Sequence, residues 1–69
     1  MISTDILEAK WMQLRGKIKE QWGKLTDNDL DRVGGKRDQL VGLIQAKYGY
    51  TKDQAHQQLE QFLKEMNIH

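Results

Sequence analysis

The chain has 69 residues, no Cys, no Pro and a formal net charge of +1, with 30% charged residues. A domain this short without disulfides rarely has more than about 3–5 kcal/mol of stability, so a marginal fold is expected. Leu, Ile, Val and Phe account for 16 residues, just above the level of roughly 20% below which disorder is expected. No apolar run approaches the roughly 18 residues of a membrane span. These properties exclude a disulfide scaffold and a membrane-spanning protein.

The charges fall into alternating blocks along the chain. Residues 10–24 carry five cations and one Glu, residues 25–31 carry three Asp and no cation, and residues 32–52 carry five cations and one Asp. Such blocks can neutralise one another in the fold, whereas a nucleic-acid-binding protein more often has a net basic excess. The first residues also lack the basic and apolar regions of a secretory signal, so we expect a cytoplasmic protein.

The first predicted helix carries one apolar stripe with steps of three and four residues. The stripe consists of Leu7, Trp11, Leu14, Ile18 and Trp22. Gly23 follows, and we expect it to adopt the left-handed conformation that ends many helices. Thr26 and Asp29 then resemble a capping box that opens a short second helix through Leu30 and Val33.

Gly34 and Gly35 break the chain before a third helix, which carries an apolar stripe and stops at Gly49. Its stripe consists of Leu40, Val41, Ile44 and Tyr48. Thr51 and Gln54 form a second predicted capping box, which opens the fourth helix. The apolar residues of that helix are Ala55, Leu59, Phe62, Leu63 and Met66.

The two halves of the chain resemble each other. Leu14-Arg15-Gly16-Lys17-Ile18 aligns with Leu40-Val41-Gly42-Leu43-Ile44 at a spacing of 26 residues. The repeat copies are predicted at about residues 5–33 and 35–66. Neither helix pair can bury its apolar face alone, so the two should pack together. We therefore predict a single all-α domain over residues 1–69, a small orthogonal bundle of four helices in two crossed α-hairpins.

The sequence resembles the CsbD-like family over about residues 9–60. The run Trp11 to Asp27, which reads WMQLRGKIKEQWGKLTD, carries most of the resemblance. GKRDQLVG at residues 35–42 and Tyr48-Gly49-Tyr50 continue it. The resemblance implies a small bacterial protein of the general stress response, with two crossed helical hairpins and no catalytic residues. Leu43 departs from the Lys usual in that family, which weakens any argument from a basic third helix.

The residues that catalysis or metal binding would need are nearly missing. Ser3 is the only Ser, and the two His are His56 and His69. No nucleophile with its base and orienting group can be assembled from them. His56 and Glu60 could supply two metal ligands, whereas a site needs three or four. We therefore expect no enzymatic activity, no cofactor and no metal.

A candidate interaction surface remains, and it contains two kinds of residue. Lys10, Lys17 and Lys24 recur every seven residues and are predicted to form an exposed stripe, with Glu20 placed to pair with Lys24. Glycines stand inside the first and third helices, where each costs about 1 kcal/mol relative to Ala. They serve either the close approach of another helix, with Met12 as a candidate contact, or docking of a partner. The full set is Lys10, Gly16, Lys17, Lys24, Lys36, Arg37, Gly42 and Lys47.

The sequence thus favours a non-enzymatic, monomeric stress-response protein that binds a partner, such as another protein, through its helix surfaces. One alternative is a nucleic-acid-binding module that uses the basic faces of the first and third helices. Another is binding at a membrane surface by the first helix, with Trp11 and Trp22 inserted.

Overall fold

The computed structural model describes residues 6–66, which form an all-α domain without strands in that range. Its five helices are α1 Ile6–Ala9, α2 Trp11–Gln21, α3 Asp27–Val33, α4 Arg37–Tyr48 and α5 Lys52–Glu65. α4 packs against both α3 and α5, and α1 packs against α2. The predicted all-α class is confirmed, whereas the steep crossing of two hairpins stays a prediction.

The predicted apolar stripes form one core. Every member of the first stripe is buried, as are Leu40, Val41 and Ile44 of α4. Tyr48 and Met66 pack against the core while staying partly exposed. The fully buried part of the α5 stripe consists of Ala55, Leu59, Phe62 and Leu63. Helical periodicity therefore identified the buried faces correctly.

The first predicted helix is divided at Lys10, so the count of four helices was wrong. Lys10 has φ −112° and ψ 21°, and its carbonyl oxygen accepts hydrogen bonds from the backbone N–H groups of Gln13 and Leu14. Beside this turn the backbone of α1 approaches Gly35, where a Cβ would lie 2.9 Å from Glu8 Cα. Gly35 has φ 89°, so both its conformation and its surroundings require glycine.

Both predicted capping boxes are confirmed. Thr26 Oγ1 accepts a hydrogen bond from the Asp29 N–H at 3.0 Å, and Asp29 Oδ2 accepts one from the Thr26 N–H at 3.0 Å. Thr51 and Gln54 make the same reciprocal pair at 3.1 and 2.9 Å. Each box satisfies two backbone donors that a helix start leaves unpaired, so it fixes where α3 and α5 begin.

The two helix ends before these boxes differ. Gly49 ends α4 in the left-handed conformation, as predicted, with φ 72°. Gly23 does not adopt that conformation, so the corresponding prediction was wrong. α2 instead ends at Gln21 with Trp22 as its C-cap, and the Leu25 N–H donates to the Trp22 carbonyl oxygen at 3.0 Å. Between its glycine and its capping Thr, this connector has one residue more than its counterpart before α5, and the turn brings Leu25 into the core at 1% exposure.

Trp22 joins the two halves of the chain. Its side chain is only 3% exposed. Its ring lies 5.2 Å from the ring of Phe62 in α5, at a tilted angle of 55°. Tilted aromatic pairs at this distance contribute about 0.5–1.5 kcal/mol beyond their burial.

We expect Trp22→Ala to lower the free energy of unfolding by about 3–5 kcal/mol, since it leaves a large cavity in a domain of little stability. Thermal melting followed by circular dichroism measures this loss. Met12→Ala is the matched control, because Met12 is 80% exposed and its replacement should change the stability by less than about 0.5 kcal/mol. A Trp22→Ala variant that melts like the parent contradicts the role assigned to Trp22.

Candidate interaction surface

Two of the predicted cations are held in ion pairs. Arg37, at the start of α4, pairs with Glu60 of α5. Lys47, near the end of α4, places its Nζ 3.3 Å from Asp29 Oδ2 of α3. The charges of both side chains are therefore partly neutralised inside the domain.

Lys24 does not continue a helical stripe, because α2 ends three residues before it. Its backbone N–H donates to Tyr48 Oη at 3.1 Å, and its Nζ lies 5.0 Å from the centre of the Tyr48 ring. Tyr50 stacks on the same ring with centroids 5.8 Å apart. All three lysines are exposed as predicted, but Lys10 and Lys24 lie outside α2, so the three do not form a stripe along one helix. The tyrosine at the end of α4 takes the place of Glu20 as the partner of Lys24.

Lys10, Lys17 and Lys36 are exposed, and they make no ion pair with the residues in the range 6–66. Lys10 lies in the turn before α2, Lys17 in the helix itself, and Lys36 at the N-cap of α4. Of the predicted cations, these three are exposed and make neither an ion pair nor a cation–π contact with residues 6–66, whereas Lys24 is exposed but lies over the Tyr48 ring.

Sequence analysis missed Arg15 and Lys19 as partners of the short acidic helix. Arg15 Nη2 lies 2.8 Å from Asp31 Oδ1, and Lys19 Nζ lies 2.9 Å from Asp27 Oδ1. The alternating charge blocks did indicate mutual neutralisation. The individual pairs follow only from how α3 lies beside α2, which no spacing along the chain reveals.

Gly16 and Gly42 are exposed, and a Cβ at either position would meet no atom within 4 Å beyond its own stretch of helix. The predicted close approach of another helix is therefore wrong within the described part of the chain. Neither glycine has positive φ, so backbone conformation does not require them either. Met12 lies one turn before Gly16 and is 80% exposed. The outer face of α2 thus lacks a side chain at Gly16 and bears an exposed thioether one turn away.

A groove between α3 and α4 passes beside Gly42. Its volume is about 220 Å³, and it is lined by Asp29, Arg32, Val33, Gln39, Gly42 and Leu43. Leu43, which is partly buried against the core, contributes apolar surface to this groove. A second recess of about 390 Å³ lies between α2 and α5, and it is lined by Lys17, Glu20, Gln21, Phe62, Glu65 and Met66.

Within residues 6–66, no three His, Cys, Asp or Glu side chains cluster so that they could hold a metal ion. Glu60 is paired with Arg37. Ser3 and His69 lie outside the described residues. Trp11 and Trp22 are 8% and 3% exposed, so insertion of both rings into lipid would require α2 to leave the core. No helix in residues 6–66 is long and apolar enough to cross a membrane.

We expect Gly16→Ala and Gly42→Ala each to raise the free energy of unfolding by about 1 kcal/mol, because each added methyl meets open space in a helix. Denaturant titration of each variant measures the gain. Gly35→Ala provides the contrast, since its positive φ and the nearby Glu8 backbone should make it destabilising by at least about 1 kcal/mol. Equal effects at all three positions would contradict this distinction.

Comparison with known proteins adds a consistent set of matches. The family model described as CsbD-like matches residues 5–57. The UPF0337 protein YjbJ of Escherichia coli O6:H1 is 52% identical over 63 residues, covering 91% of each chain. Its counterpart in Salmonella typhimurium is 56% identical over 59 residues, covering 86% of this chain and 84% of the relative. A UPF0337 protein of Protochlamydia amoebophila is 44% identical over 61 residues, covering 88% and 92%.

Proposed function

The chain belongs to the CsbD-like family, and we propose that it is a non-enzymatic stress-response protein that binds a protein partner through the outer faces of α2 and α4. The stress-response role is what membership of this family implies. The binding role is supported by the glycines and the apolar lining of these outer helix faces.

The observation that carries the proposal is the loss of helix stability that Gly16 and Gly42 cause. Each glycine destabilises its helix by about 1 kcal/mol relative to Ala. Neither a close neighbour nor a positive φ compensates for this cost within the described residues. A helix position without a side chain allows the backbone of a partner to approach closely. A contact with such a partner would compensate for the lost helix stability and so accounts for both glycines. Beside Gly42, the Val33 and Leu43 side chains supply apolar lining for such a contact.

The proposal includes the organisation that supports these faces. We propose one domain over residues 1–69, in which copies at about 5–33 and 35–66 form hairpins that cross steeply. Matching capping boxes in both connectors support the duplication. We further propose a cytoplasmic monomer that needs no cofactor, so that both glycine faces stay available to a different protein.

Pull-down experiments from stressed cells test the docking faces, with variants of the chain that carry a larger side chain in place of each glycine. Gly16→Gln or Gly42→Gln should abolish capture of a protein that the parent chain retains from stressed cells, because the new side chain projects from the docking face. Ala46→Gln adds similar bulk at another exposed position of α4 and should retain capture. Capture that is unchanged in both glycine variants contradicts the docking role and leaves inheritance from a duplication as their explanation.

Nucleic-acid binding is a second candidate, favoured by three cations of the predicted interaction surface that are exposed and make no ion pair with residues 6–66. They are Lys10, Lys17 and Lys36. The ion pairs of Arg37 and Lys47 reduce the basic surface that the sequence alone indicated. The burial of both tryptophans makes the membrane-surface alternative weaker than this one.

If nucleic acid is the partner, replacing Lys10, Lys17 and Lys36 together by Gln should weaken binding of a DNA duplex or an RNA hairpin. It should also reduce the salt dependence, since each lost phosphate contact lowers the slope by about one. Fluorescence anisotropy at several salt concentrations measures both quantities, with Lys64→Gln in α5 as the control. The absence of binding by the parent chain at low salt removes this candidate.

A further inference from the structure

Two ion pairs tie one side of α3 to α2. Asp27 and Asp31 stand four residues apart, so they lie on the same face of the short helix. Asp27 Oδ1 is 2.9 Å from Lys19 Nζ, and Asp31 Oδ1 is 2.8 Å from Arg15 Nη2. The two cations are also four residues apart on α2. The contacts therefore form a short ladder between the two helices.

The other side of α3 is tied to α4 through Asp29. Its Oδ2 accepts the hydrogen bond from the Thr26 N–H at 3.0 Å and lies 3.3 Å from Lys47 Nζ. One carboxylate thus both caps the start of α3 and links the helix to α4. Because Asp29 stands two residues from Asp27 and two from Asp31, it points away from them, and α3 is held on both sides.

Little else holds α3 in place. It has seven residues, and its buried side chains are Leu30 and Val33, whereas α5 buries four. A helix of this length has no stability of its own in water, so its order depends on contacts with its neighbours. Ion pairs and the capping carboxylate are therefore a larger share of the contacts of α3 than of α4 or α5.

We propose that α3 and its aspartates form an acid-sensitive latch, which opens when Asp27 and Asp29 are protonated while α4 and α5 remain packed. Opening releases Arg15 and Lys19 on α2 and Lys47 on α4, and it uncovers the core positions that Leu30 and Val33 occupy when the latch is closed. The surface offered to a partner would thus change with pH. This conformational change does not depend on the proposed docking faces.

The sign of the pH dependence follows from the neighbours of Asp27. A hydrogen bond from Lys19, the charge of Lys19 and, more weakly, the charge of Arg15 hold the pKa of Asp27 below its ordinary value of 3.8. The folded state therefore binds fewer protons than the unfolded chain in this range. The stabilisation is fully present above about pH 4 and is lost as the pH falls through the lower folded pKa.

Asp29 contributes a pH dependence of stability with the same sign as that of Asp27. The backbone hydrogen bond from Thr26 lowers the pKa of Asp29 most, and the Thr26 hydroxyl and Lys47 lower it further. Of the charged groups facing the latch, Arg15 and Lys19 come from α2 and Lys47 from α4. Arg32 of α3 itself lines the groove beside Asp29. All four are cations, and a neighbouring cation favours the charged form of a carboxylate.

Amide hydrogen exchange on the full chain tests the latch, because it reports local opening separately from global unfolding. Between about pH 6 and pH 2.5 we expect the protection factors of Leu30 and Val33 in α3 to fall roughly 5- to 25-fold more than those of Leu59 and Leu63 in α5, since the pairs of Asp27 and Asp29 each contribute up to about fivefold. Equal losses in α3 and α5, or no loss in α3, would overturn the proposal.

Asp→Asn variants separate the effect of the negative charges from the effect of the helix cap. In the triple variant Asp27→Asn, Asp29→Asn, Asp31→Asn, all three negative charges are gone. The side-chain amide oxygen introduced by Asp29→Asn can still accept the hydrogen bond from the Thr26 N–H, so the cap is retained. We expect α3 to have low protection already at about pH 6, with no further response to acid. Persistent acid-dependent protection of α3 in this variant would overturn the proposal.

The matched control is the Asp38→Asn, Asp53→Asn variant. These residues lie in the first turns of α4 and α5 and make no ion pair with the residues in the range 6–66. It should retain the acid response of α3. If the triple variant does not fold, Asp27→Asn alone carries the test, because Asp27 pairs with Lys19 and takes no part in the cap. The acid response of α3 should then shrink, and a full response contradicts the latch.

Discussion

Contact between the two halves of the chain, centred on Trp22 and Phe62, is the interaction on which the remaining structure depends. The chain has no Cys, so no disulfide limits the unfolded state. α3 is too short to be stable alone, and the isolated helix pairs would expose their apolar faces. Trp22 stands where α2 ends and reaches α5 from the first half. Ordering of the connectors, the capping boxes and the surface ion pairs all require this core to be in place.

The sequence predicted the features that depend on local chemistry. Apolar spacing identified the buried faces, and Thr26 and Thr51 marked the starts of α3 and α5 because the capping box needs a hydroxyl and an acceptor three residues apart. Gly49 was predicted correctly by the same kind of reasoning. Gly23 was not, because the extra residue in its connector changes the turn. Lys10 was missed because nothing in the local sequence breaks the helical period there.

The candidate site was less predictable, since it depends on which helices become neighbours. The sequence correctly selected Lys10, Lys17 and Lys36 as exposed cations. It could not reveal that Lys24 leaves the helix to meet Tyr48, or that α3 recruits Arg15 and Lys19. Charge blocks gave the sign of these interactions. Only the tertiary arrangement gave the partners, because a pair 16 residues apart leaves no periodic signal.

Because the domain has limited stability, the destabilising effect of its exposed glycines is significant. Replacing Gly16 and Gly42 by Ala would add about 2 kcal/mol in total, a large fraction of the roughly 3–5 kcal/mol expected for a domain of this size. Gly35 shows what a structurally required glycine looks like here, with positive φ and the Glu8 backbone in contact. Gly16 and Gly42 have neither feature. Because nothing in the described part of the molecule offsets their cost, a contact that the helices make with another molecule is the compensation to look for.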